Sequence, residues 1–234
     1  NGNKLLKLLM ERNVFLDGPM GTMIQDFKLN EHDFRGSRFQ NHTCDLKGNN
    51  DLLVLTKPEL IEQIHIDFLE AGSDIIETNT FSSTSISQAD YKLESIVEEL
   101  NINAVKIAKK AIEKVSKIQN EKTFFIAGAI GPTNRTASIS PDVNDPSFRA
   151  VSFDDLVEAY SQQIKSLITG GVDILLIETI FDTLNAKAAL FATEMVFAEL
   201  NQRLPVMISV TITDKSGRTL SGQTATAFWY NNNL

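Results

Sequence analysis

Two stretches of this chain follow one pattern, and that pattern limits the folds open to it. "EAGSDIIETNT" (70–80) and "TGGVDILLIET" (169–179) each run from a helix end through glycine and aspartate into an apolar strand that closes on Glu-Thr. Further apolar runs repeat the rhythm. The expected strands are Val14–Asp17, Asp74–Asn79, Phe124–Ile130, Val172–Glu178 and Val206–Thr213. They are short, rich in β-branched residues and almost continuously apolar, as strands covered on both faces of a parallel sheet should be. Between them the period is helical. Leu100, Val105, Ala108, Ile112 and Val115 share a stripe, and Ser152–Ile168 and Thr183–Leu200 behave alike. Gly72 and Gly170–Gly171 fall where left-handed helix caps belong.

Strand–helix alternation gives an open doubly wound sheet or a β/α barrel. The polar residues favour the barrel. Each expected strand ends on a distinctive group: Asp17, Glu77 with Asn79, "GPTNR" at 131–135, Glu178, and Thr211 with Thr213. A barrel gathers all strand C-termini on one face, where active sites lie. Asp17, Glu77, Gly131, Glu178 and Thr211 are therefore expected at one rim. Five strands do not complete an eight-stranded barrel, which takes roughly 250 residues.

Composition narrows the function. With 234 residues, 42% hydrophobic and 22% charged, the chain suits one large domain. A net charge of −8 argues against nucleic-acid binding. No apolar run is long enough to span a membrane. The single cysteine, Cys44, precludes an internal disulfide framework and suits a reducing, cytoplasmic setting.

Asp17 and Glu178 read as a carboxylate pair able to hold an ammonium group, with Glu77 as a third candidate. The "DGPMGT" loop after Asp17 can bare backbone amides to a carboxylate. It has neither the Walker spacing nor G-x-G-x-x-G, so nucleotide binding has no support. Asp74 reads as ordering the turn after Gly72, and His65 as a hydrogen-bonded core histidine. His42 and Cys44 lack the second pair that a four-ligand metal site needs. The 136–149 loop is long enough to be functional. The 45–53 loop shows a Gly-Asn turn and no chemistry.

"FLDGPMGTMIQ", "CDLKGNNDLLVLTKPE", "AGSDIIETNTFSST", "GAIGPTNRTASISPDVNDP", "IETIFDTLNAKAA" and "TITDKSGRTLSGQT" closely resemble the homocysteine-binding domain of cobalamin-dependent methionine synthases, within the homocysteine S-methyltransferase family. Betaine–homocysteine methyltransferases share the Asp-Gly opening but do not look like this sequence through "CDLKGNNDLL" or "TASISPDVNDP". The resemblance implies an eight-stranded β/α barrel of the TIM type. It also implies methyl transfer from methylcobalamin to the homocysteine thiol, giving methionine, and a zinc ion on the sulfur. Its partners are cobalamin-binding and methyltetrahydrofolate-binding modules. The substrate contacts so implied fall on Asp17, Gly18, Met20, Gly21, Thr22, Glu77, Asn79, Thr80, Asn134 and Glu178. The family's zinc cysteines come from motifs after the sixth and at the eighth strands. This sequence lacks both motifs, so the zinc ligands are expected beyond Leu234. Residues 1–234 are accordingly expected to be the first five or so strand–helix units of one homocysteine-binding domain, truncated at the C-terminus. By itself this piece is expected to hold no zinc and to transfer no methyl group. Two alternatives remain: a short non-catalytic module that binds an amino acid or a partner, and a different barrel chemistry such as pterin binding.

Overall fold

The computed structural model describes residues 2–120, 122–212 and 215–231. Helices α1 (Gly2–Glu11), α2 (Met20–Asp26), α3 (Glu31–Arg35), α4 (Leu53–Thr56) and α5 (Pro58–Ala71) precede strand β1 (Ile75–Glu77). Then come α6 (Ser85–Gln88), α7 (Val97–Ser116), β2 (Phe125–Ile130), α8 (Phe153–Gly170), β3 (Ile174–Ile180), α9 (Thr183–Leu200), β4 (Val206–Val210) and α10 (Ala225–Asn231). The strands form one parallel sheet in the order β1-β2-β3-β4, with long helices as crossovers. This is the sequential winding of part of a TIM-type barrel, and every strand C-terminus lies along one edge.

The expected first strand shrinks to one parallel bridge, Leu16 to Ile75. The Asp17 amide donates to the Ile75 carbonyl at 3.0 Å and the Ile75 amide to Phe15 at 3.1 Å. Pro19 brings no amide of its own, and α2 begins at Met20, so there is no length for a longer ladder. Beyond β1, Thr78 pairs with β2 by backbone and side chain together: its amide donates to the Ala127 carbonyl at 2.9 Å and its Oγ1 accepts from the Ala129 amide at 3.0 Å. Thr213, at the expected end of the last strand, lies outside the described residues, and so does Leu234, beyond which the zinc ligands are expected.

Both faces of β1, β2 and β3 are covered, which is why these strands read as unbroken apolar runs, whereas β4 is only partly buried. Ile76, Ile126, Leu175 and Ile177 face α7, α8 and α9. Ile75, Phe125, Ala127, Ile174 and Leu176 face the other way, where Leu5 and Leu8 of α1 pack on them. Gly72 (φ 119°) and Gly171 (φ 88°) close α5 and α8 in the left-handed region, where glycine carries no side-chain penalty. Ser152 and Asp155 form a capping box at the start of α8.

The aspartates of the repeated pattern do more than order a turn. Asp74 accepts the Phe15 amide at 2.9 Å, and Asp173 accepts the Ile126 amide at 2.9 Å. Each stitches the start of its strand to the strand before it. Asp74 also takes a two-pronged contact from Arg12 at 2.8 and 2.9 Å, with Lys122 at 3.3 Å. Burial alone would raise its pKa. The Arg12 contact, the Phe15 amide and Lys122 overrule that and hold the carboxyl at about 2.

His65 departs from expectation. It is fully buried on α5, and neither ring nitrogen has a hydrogen-bond partner among the described residues. Burial pushes its pKa down to about 4, so the ring sits in the core as a neutral group.

Asp74→Asn should lower the unfolding free energy on the order of 2 kcal/mol at pH 7, since hydrogen bonds to charged groups contribute about 1.5–3 kcal/mol. Because the folded pKa is depressed, this contribution is complete above about pH 4 and disappears as pH falls through about 2. Urea unfolding of both proteins at pH 3 and pH 7 checks the magnitude and the sign.

Candidate functional site

At the C-terminal edge of the sheet lies a cavity of about 460 Å³. Its wall includes Gly18, Met20 and Gly21 from the first loop, Gly48–Asp51, Glu77 and Asn79 after β1, Phe81, Asp90, Tyr91, Asn134 and Glu178. Its acids are Asp51, Glu77, Asp90 and Glu178, and no Lys, Arg or His among the described residues lines it.

Glu178 owes its position to a defect in β3. The register with β4 shifts between Ile177 and Ile180, and Thr179 between them has φ 53°. A β-branched residue there is strained, and such bulges re-aim side chains beside active sites. The Thr179 hydroxyl donates to the Glu178 carboxylate at 3.3 Å. Glu77 ends β1 at the same edge. Asp17 sits behind Glu77: its Oδ2 accepts the Glu77 amide at 2.9 Å, while its buried Oδ1 has no partner among the described residues.

Burial raises the pKa of all three carboxyls, and the charge of Glu178 adds to the rise at Glu77 and Asp17. Burial, then the charges of Glu178 and Asp17, lift Glu77 to about 8. Burial lifts Asp17 to about 7, against its amide hydrogen bonds and with help from Glu178. Burial also raises Glu178, opposed by the Thr179 hydroxyl. A cationic ligand group is the natural complement of such a set.

Of the residues singled out by sequence, the structure brings Gly18, Met20, Gly21, Glu77, Asn79, Asn134 and Glu178 to the cavity wall. Asn79 donates to the Asn50 carbonyl at 2.8 Å, and Asn134 donates to Asp90. Asp17 stands one layer back. Thr22 is exposed on α2. Thr80 is buried and donates to the Ala129 carbonyl at 2.7 Å, joining the 78–80 segment to β2. Gly131 and Thr211 follow β2 and β4 at this edge, where the Thr211 amide donates to Ile180 at 2.8 Å. Gly131 is required for a close approach: a Cβ there would lie 2.4 Å from the Phe81 carbonyl oxygen.

Sequence reasoning gave the 45–53 loop no role, yet it forms one wall. Asn49 and Gln88 exchange side-chain hydrogen bonds at 2.7 and 3.2 Å, and Asp51 accepts the Ser82 amide at 2.8 Å. The signal was present in "GNND", a turn followed by an acid just ahead of an apolar run. The long loop after β2 is fastened to the start of α9. Asp182 accepts from the Ser138 amide (3.0 Å) and hydroxyl (2.6 Å), and Asn185 bonds Ala137, Thr133 and Arg135.

A family model described as homocysteine S-methyltransferase matches residues 14–232, and the chain belongs to this family. Among solved structures it is similar to the homocysteine methyltransferase MmuM from Escherichia coli. The metallated form superposes with a TM-score of 0.74 at 21% identity, covering 96% of this chain and 72% of that one. For the oxidized form the values are 0.70 and 21%, covering 94% and 69%. For the apo form they are 0.63 and 19%, covering 96% and 71%. This likeness supports the reading of the sheet as part of a TIM-type barrel.

Raised carboxyl pKa values make stability fall with pH. Unfolded Asp and Glu lose their protons near pH 4, whereas Asp17 and Glu77 keep theirs to about 7 and 8. Between those limits the folded chain binds more protons than the unfolded one, so its stability declines as pH rises. Urea unfolding of the ligand-free chain from pH 5 to 8 should show this decline, and Glu77→Gln should flatten it.

Proposed function

We propose that this member of the homocysteine S-methyltransferase family serves a methionine-synthase-type enzyme by binding the amino-acid end of homocysteine. The full reaction moves a methyl group from methylcobalamin to the homocysteine sulfur, giving methionine. The observation that carries the reading is the convergence of Glu178, Glu77 and Asp17 beside the Gly18–Gly21 loop at the strand ends. Glu178 and Glu77 receive the substrate's ammonium group by charge-assisted hydrogen bonds, with Asp17 fixing the Glu77 backbone from behind. No basic side chain among the described residues lines the cavity, so the α-carboxylate falls to neutral donors, chiefly the backbone amides of the glycine loop. In the transfer a sulfur–carbon bond forms as the bond from methyl to donor breaks, and the thiol proton passes to solvent.

Two features favour the methionine-synthase type over the betaine type. "CDLKGNNDLL" supplies the wall from Gly48 to Asp51, and "TASISPDVNDP" is part of the loop clamped by Asp182 and Asn185. The cobalamin-binding and methyltetrahydrofolate-binding modules are the partners this reading requires.

Zinc, which the resemblance implies, does not fit the described residues. No group of three His, Cys, Asp or Glu among them is placed to hold a metal ion. Cys44 donates to the Tyr91 carbonyl at 3.2 Å and is not part of the cavity wall. The zinc cysteines placed beyond Leu234 by the resemblance are no part of this sequence, and no step is assigned to a metal.

Glu178→Gln and Glu77→Gln should each weaken homocysteine binding by about tenfold or more, since charged hydrogen bonds contribute about 1.5–3 kcal/mol and about 1.4 kcal/mol is a factor of ten. Calorimetric titration measures this, and unchanged affinity in both variants would remove the ammonium site.

A further inference from the structure

Resting on that reading of the cavity, we propose that Asp51 is a further substrate-binding residue that shares the ammonium group of the amino acid with Glu178. Asp51 is only 3% exposed, yet it lines the cavity. Its Oδ2 accepts the Ser82 amide at 2.8 Å, and the Ser83 hydroxyl lies beside it. The Ser82 amide is a neutral donor, and an asparagine oxygen would accept from it equally well. The charge that acts on Asp51 is that of Glu178, of the same sign, and no Lys, Arg or His is paired with it among the described residues. Burial and Glu178 together push its carboxyl up to about 7. Folding therefore gains nothing from a negative charge here; a cation in the cavity would.

The loop that carries Asp51 is fixed without that charge. Arg35 donates to the carbonyls of His42 (2.8 Å) and Cys44 (2.9 Å), and its Nε contacts Glu31 at 2.6 Å. Glu31 in turn accepts the amides of Leu46 and Lys47 at 2.9 and 2.7 Å. Further along, the Asn49–Gln88 pair and the Asn79 contact to Asn50 pin the turn onto the cavity. Asp90, another acid of the wall, is occupied by Asn134 and Arg135. Asp51, Glu77 and Glu178 are left for the ligand, and an ammonium offers three N–H donors. The ligand class is a zwitterionic α-amino acid with a free primary amine; an otherwise identical acid lacking the amine should bind more weakly.

The test compares wild type, Asp51→Asn and Glu178→Gln in titrations with homocysteine and with 4-mercaptobutanoate, which lacks the amino group. Asp51→Asn should lose at least tenfold in affinity for homocysteine and less than twofold for 4-mercaptobutanoate, with its melting temperature unchanged or raised. Equal losses for both ligands would make Asp51 a wall residue only and overturn the proposal. Unchanged homocysteine affinity in Asp51→Asn, alongside a loss in Glu178→Gln, would also overturn it while leaving the ammonium site standing. Failure of the wild type to bind homocysteine would overturn that site and this proposal together.

Discussion

The costliest arrangement in this molecule is the gathering of like-charged carboxyls at one edge of the sheet. Asp17, Asp51, Glu77 and Glu178 are each lifted above the usual carboxylate range, burial being the largest cause in every case. A fold does not place such groups together for its own stability. Much of the surrounding construction can be understood as holding them there. The bulge at Thr179 aims Glu178, the Glu77 amide anchors Asp17, and the Arg35–Glu31 pair winds the loop that ends at Asp51.

The opposite ends of the same strands show the contrasting use of a carboxyl. Asp74 and Asp173 begin their strands and accept an amide from the strand before. Asp74 has Arg12 and Lys122 as counter-charges, and its pKa goes down rather than up. Each repeat of the pattern thus carries one stitching acid at the base and one glutamate at the rim. Parallel strands make this division possible, because all of them point the same way.

The loops divide the remaining work. Arg35 and Glu31 gather several backbone groups of the 39–47 segment, so the wall that continues from it is set by a local network and not by apolar packing alone. The loop after β2 lacks regular structure, but Asp182 and Asn185 tie it to the start of α9. Asp182 also caps that helix through the amides of Leu184 and Asn185, so one side chain fixes a helix start and a cavity-side loop together.

Much of this was legible from the residues. The repeated strand pattern gave the parallel sheet, and the glutamates closing it gave the rim, because period and strand polarity are local properties of sequence. The glycine loop and Asn134 likewise reached the cavity. Other features are decided by packing between distant segments. The first strand contracts to one bridge because Pro19 and α2 follow at once. His65 lies fully buried on α5 with no hydrogen-bond partner for its ring among the described residues. Asp17 faces the Glu77 backbone instead of the cavity, and Asp51 joins the acids across more than a hundred residues of chain. Sequence by itself determined the order of strands and helices and which acids end the strands. Only the tertiary structure decided which of those acids share one buried space, since that depends on how loops remote in sequence close over the sheet.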